Sequence, residues 1–212
     1  MIKYGLTAAA AIGAAGTGVW YSGIFNDTYK DISSLIKEDK TIVPVKGDSE
    51  WNEKWDLYKN NNSGKKSNED IWNLNGWTNP APSTILKAFK DKCTSILSQK
   101  VKNKEDSRYL DTIKYCFRDK KISDLFAEGG ATLLSKDSSH NEKWKTRWEK
   151  FKADTKASLP GFSIAENETK ENSFYKLSAA CEAAFNKPVK EESYLNNFES
   201  IKKWCSAEST FS

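Results

Sequence analysis

Four cysteines, one histidine and scattered pairs of carboxylates are the residues of this 212-residue chain best suited to chemistry. Cysteine can ligate a metal, attack as a thiolate or close a disulfide, and spacing helps to separate these roles. Cys93, Cys116, Cys181 and Cys205 contain no close Cys-x-x-Cys, and the chain has a single histidine, so the pattern argues against zinc. The intervals from Cys93 to Cys116 and from Cys181 to Cys205 are nearly equal. Four cysteines allow three pairings, and this symmetry favours Cys93–Cys116 with Cys181–Cys205. The alternative is four buried thiols in a reducing cytosol.

His140 reads as a surface histidine, because a tryptophan, Trp51, stands at its counterpart position in the repeat described below. Ser-x-x-Lys recurs along the chain, at Ser34, Ser63 and Ser200 among other places, without the companion elements of a serine acyl-transfer site. Glu69-Asp70 and Glu191-Glu192 sit in polar surroundings and read as solvated faces, not as an acid–base pair. Gly13-Ala-Ala-Gly16-Thr-Gly18 resembles part of a phosphate loop but lies inside an apolar run, without the strand and helix such a loop needs. Asn61-Asn-Ser63 and Asn167-Glu-Thr169 are glycosylation triplets, meaningful only in a eukaryotic secretory route. No nucleophile or base is nominated, so the expectation is a non-enzyme without a cofactor. The excess of four positive charges is spread along the chain, which argues against nucleic acid as a partner.

The elements that would position these residues begin with an anchor. Tyr4 to Phe25 is a run of 22 uncharged residues, roughly 33 Å as a helix and enough to cross a bilayer core. Lys3 and the amino terminus before it favour an N-terminus inside and the rest outside, and Tyr4, Trp20 and Tyr21 sit near the ends, where interfacial aromatics are expected. The expectation is a single-pass cell-membrane protein whose bilayer contact is residues 4–25 and whose C-terminal region is extracellular. Ala9 with Gly13, and Ala14 with Gly18, offer a weak self-association face. A cleaved signal peptide is the alternative.

Beyond the anchor the chain repeats itself. Asp48-Ser-Glu-Trp-Asn-Glu-Lys-Trp55 matches Asp137-Ser-Ser-His-Asn-Glu-Lys-Trp144 at six of eight positions, with an offset of 89. Cys93 and Cys116 recur as Cys181 and Cys205, Ile32-Ser-Ser-Leu35 as Ile122-Ser-Asp-Leu125, and Gly76-Trp77 as Gly161-Phe162. The expected organisation is an anchor or signal segment at 1–27, then helical repeat units at 28–119 and 120–212. The expected class is all-α for the most part: a transmembrane helix followed by two tandem units, each with a helical hairpin. In the first unit Ser83 reads as a cap for a helix carrying Ile85, Phe89 and Cys93, and Tyr109, Ile113 and Cys116 mark its partner. In the second unit Phe174, Leu177 and Cys181 face Tyr194, Leu195, Phe198, Ile201 and Cys205. Thr41–Val45 and Thr132–Leu134 read as extended connectors, not as a sheet. Trp51, Trp55, Trp144 and Trp148 have helical spacing; core packing is the default, and an exposed aromatic surface is the functional alternative.

The start Met1-Ile-Lys-Tyr-Gly-Leu-Thr-Ala-Ala-Ala-Ala-Ile-Gly-Ala-Ala-Gly16, with Ile32-Ser-Ser-Leu35, the Trp-rich stretches and the late Trp204-Cys205, resembles the paralogous surface or membrane proteins of haemotropic mycoplasmas. The likeness covers the layout of the whole chain. It implies a surface protein of a wall-less red-cell parasite, with a host-cell or other extracellular partner or an antigenic role. It supplies no catalytic residues. A membrane-tethered ligand-binding module and an extracytoplasmic hydrolase are the competing expectations.

Overall fold

Apolar side chains three and four residues apart give each helix one sticky face, and about half of the described residues are accordingly helical, with only two short strand pairs beside them. The structure is a computed structural model describing residues 29–211. The expected membrane helix at residues 4–25 lies outside that range. No helix among the described residues is long and apolar enough to cross a membrane.

The first half opens with β1 (Lys30–Asp31), α1 (Ile32–Glu38), β2 (Ile42–Pro44) and α2 (Asp48–Asn61). A long loop then leads to α3 (Lys87–Ser95), β3 (Lys100–Val101), α4 (Ser107–Cys116) and β4 (Phe117–Asp119). The second half is α5 (Ile122–Glu128), α6 (Asn141–Ala153), α7 (Lys170–Phe185), α8 (Glu192–Leu195) and α9 (Phe198–Cys205). Two short antiparallel pairs tie the first half: β1 with β3, and β2 with β4 in the register Val43 opposite Arg118. Thr41–Val45 is therefore not just a connector. Its partner strand lies at the far end of the half, which local sequence does not reveal.

Helix starts follow local chemistry in one case and depart from expectation in another. Asp106 caps α4 by accepting from the Arg108 N–H at 3.0 Å. Ser83 caps nothing: α3 begins at Lys87 after Leu86, and Ile85 precedes the helix. The second-half partner helix is also broken. Tyr194 and Leu195 end α8, and Phe198 begins α9.

The same bonds recur in both halves. The Ile32 N–H donates to Gln99 O and the Ile122 N–H to Lys187 O, each at 2.9 Å. The Val45 N–H reaches Cys116 O at 3.1 Å, and the Leu134 N–H reaches Cys205 O at 2.9 Å. Leu74-Asn-Gly-Trp77 and Leu159-Pro-Gly-Phe162 each close a turn at 3.0 Å, with φ of 88° at Gly76 and 75° at Gly161. A positive φ at the third position, with proline allowed at the second, is the pattern of a type II turn.

Buried side chains gather separately in each half. Trp55, Tyr58, Trp77, Phe89, Tyr115 and the first cysteine pair form one cluster, and Ile32, Leu35, Ile96, Val101 and Tyr109 a second beside it. Ile122, Phe126, Trp144, Trp148, Leu177, Ile201, Trp204 and the second cysteine pair belong to the cluster of the second half. The densely packed element pairs, such as α2 with α4 and α6 with α7, each lie within one half.

Candidate functional site

Packing of α3 on α4 and of α7 on α9 brings the two cysteines of each half together. Cys93 on α3 is bonded to Cys116 at the end of α4, with Cα atoms 5.5 Å apart. Cys181 on α7 is bonded to Cys205 at the end of α9, with Cα atoms 5.4 Å apart. Both pairings are those favoured by repeat symmetry. Each closes a loop of a size worth about 3 kcal/mol in the chain-entropy account, a large part of the stability of a small unit.

The four tryptophans do not form an exposed surface. Trp55 and Trp144 are each 1% exposed and Trp148 is 3% exposed, all inside clusters. Trp51 alone is half-buried, edge-on to Phe89 at 6.1 Å with the Lys90 ammonium over its ring at 5.3 Å. The indole N–H groups of Trp55 and Trp144 donate to Pro82 O at 3.2 Å and Ser135 O at 2.8 Å, which lets these large rings be buried.

Polar groups that sequence reasoning passed over occupy the interior instead. Asp70 is 2% exposed, so it is not a solvated face. It accepts from Tyr58 Oη at 2.5 Å and from the Leu74 N–H at 3.0 Å, while Tyr58 Oη accepts from the Trp72 N–H at 3.1 Å. Burial, then the Asp70 carboxylate, pushes the Tyr58 phenol far above its ordinary range. Arg147 stands 89 positions later, at the counterpart of Tyr58, and is 2% exposed. Its guanidinium donates to Trp204 O at 3.0 Å, Ser206 O at 2.6 Å and Ser209 O at 3.0 Å. It also lies over Trp144 at 5.5 Å and over Phe211 at 5.2 Å. Those carbonyls form the negative end of α9 and the turn after it, a natural seat for a cation. Burial still pushes Arg147 down to about 10.

The junction between halves is polar and tightly tied. The Lys120 N–H donates to Thr41 O in the first half at 2.7 Å, and its carbonyl accepts from the Val189 N–H in the second at 2.8 Å. Arg118 grips Asp124 with both terminal nitrogens, at 2.6 and 2.9 Å, and its Nε donates to Glu50 on α2. Asp119 and Lys190 add an ion pair at 2.5 Å. Arg118 holds the Asp124 carboxyl below the usual carboxylate range. Burial opposes ionisation of Glu50, yet the Lys46 N–H and Arg118 outweigh it and also keep it low. The Arg118 guanidinium itself is pushed up, chiefly by its hydrogen bonds to Asp124.

Comparison with protein-family models, curated proteins and solved structures finds no match to this chain.

A cavity of about 310 Å³ beside the junction is lined by the ionisable side chains of Glu50, Glu53, Lys54, Arg118 and Asp119, of which Glu50 and Arg118 are already paired in the clamp. A groove of about 600 Å³ runs between Trp72–Asn75 and α3 and carries the Lys87–Asp91 ion pair on its rim. His140 stands at the N-cap position of α6 without a side-chain capping bond, its Nδ1 3.1 Å from Ser139 Oγ, and is not among the residues lining the cavities described. No group of three histidine, cysteine or acidic side chains is placed to hold a metal among the described residues.

Proposed function

We propose that the chain is a surface-displayed module: residues 4–25 hold it in a membrane, and the remainder stands outside the cytosol as a stable scaffold for contact with a host or other extracellular partner. The observation that carries this reading is the pair of disulfides. Structural disulfides persist in oxidising compartments and are rare in a reducing cytosol. Both staples use all four cysteines of the sequence. An uncharged run of 22 residues before the described region supplies the means of export.

The scaffold is a tandem duplication, with units at 28–119 and 120–212. Paired cysteines, paired Leu-x-Gly-aromatic turns and paired strand-like bonds support that division. In a display role the buried framework is constrained and the exposed residues are free to change, which suits the antigenic part implied by the resemblance to haemotropic-mycoplasma surface proteins. A ligand cleft built from the tryptophans is disfavoured, since Trp55, Trp144 and Trp148 are spent in packing.

Protease shaving of intact cells tests the topology. Release of peptides from the region after Asp27 before lysis is the expected result. Cleavage of that region only after lysis would overturn the reading.

A further inference from the structure

Duplication gives the molecule an internal control for the reactivity of its two disulfides. Cys181 and Cys205 are each fully buried, whereas Cys93 is 7% exposed and Cys116 is 2% exposed. An apolar crevice of about 230 Å³ opens over the first bridge, between Pro44, Val45, Trp51, Leu97 and Phe117. The second half is built differently at the corresponding place. There Lys136, at the position of Gly47, forms a 2.5 Å ion pair with Glu182, at the position of Thr94 and next to Cys181. The Lys90 ammonium over the ring of Trp51 also puts a positive charge beside the first crevice, where an entering thiolate gains from it.

We propose that Cys93–Cys116 is a thiol-exchange site, a point of covalent attachment for an external small thiol, while Cys181–Cys205 is an inert staple. The inference goes beyond the display reading and does not rest on the membrane anchor. An external thiolate enters the crevice and its sulfur bonds to Cys93 Sγ. The Cys93–Cys116 bond breaks, and its electron pair leaves on Cys116 Sγ as a thiolate. The product is a mixed disulfide on Cys93 and one new thiol, with no other oxidant or reductant needed. A second external thiol can then attack the mixed disulfide, release Cys93 and leave with the first as an external disulfide. Two external thiols have then been oxidised, and one protein disulfide reduced.

The test is graded incubation of the folded full chain with glutathione, followed by alkylation and peptide mapping. Glutathione adducts on Cys93 and alkylated Cys116 are expected at a thiol concentration about tenfold below that which opens Cys181–Cys205. Opening of both bridges together, or of Cys181–Cys205 first, would overturn the proposal. The variant Gly47→Lys with Thr94→Glu transplants the ion pair of the second half onto the crevice. A Cβ at Gly47 meets nothing within 4 Å, and Thr94 is exposed, so the fold accommodates both changes. The variant should need more glutathione to open Cys93–Cys116. An unchanged requirement would refute entry through the crevice.

Discussion

Single residues carry the internal polarity of this molecule, and Arg147 is the clearest case. A guanidinium buried without a carboxylate is costly unless its donors are met. Here three backbone carbonyls and two aromatic faces meet them, and the segment after α9 is held against the core. Phe211 stacks on Trp204 at 5.1 Å as part of the same arrangement. Arg147→Met should cost about 2 kcal/mol, because it leaves buried carbonyls unpaired. It should also speed amide exchange in the N–H groups of Ala207 and Ser209, read by hydrogen-exchange mass spectrometry. An unchanged stability and exchange pattern would show that the tail is held without Arg147. The burial of Trp144 and Trp148 was legible in their spacing with Phe151, since all three fall on one helical face. Asp70 was not legible: its value depends on Tyr58, twelve residues away and brought close only by the loop.

At the scale of elements, the hairpins, their staples and the repeated turn set the architecture. The cysteine spacing was readable because an antiparallel pair converts sequence distance into height. The turn was visible only as Gly76-Trp77 and Gly161-Phe162; the leucines that accept the closing bonds, Leu74 and Leu159, became apparent with the structure. In the second turn the glycine is needed for φ rather than for space. A Cβ at Gly161 would meet only Tyr194 Oη at 3.7 Å, but the backbone there sits at φ 75°. Gly161→Ala should therefore destabilise by about 1–2 kcal/mol, measured as a lower urea midpoint with unchanged slope. A neutral substitution would argue against the left-handed turn. The short β2–β4 pairing and the break between α8 and α9 were not readable, because each depends on partners distant in the chain or on packing rather than on periodicity.

At the scale of the whole molecule, Arg118 joins the halves by gripping an acid from each. Its role was hidden in sequence, since Glu50 lies 68 residues before it and Asp124 belongs to the next half. Both carboxyls are held low, so the contribution of the clamp is fully present above the unfolded carboxylate value of about 4 and is lost as pH falls below it. Arg118→Met should cost about 2 kcal/mol at neutral pH. The gap between variant and parent should shrink below about pH 4, as both acids become protonated in the parent too. Denaturant unfolding across that range checks this; a gap that stays constant would mean that Arg118 acts through packing alone.

A disulfide-stapled scaffold displayed outside a reducing compartment, as proposed, keeps both bridges closed, so the state of the cysteines in the cell of origin is the decisive measurement. Cells are lysed in excess alkylating reagent and the protein is mapped without reduction. Linked peptides Cys93–Cys116 and Cys181–Cys205 are expected, with any alkylation confined to the first pair. Four alkylated cysteines, or crossed pairing between the halves, would contradict it.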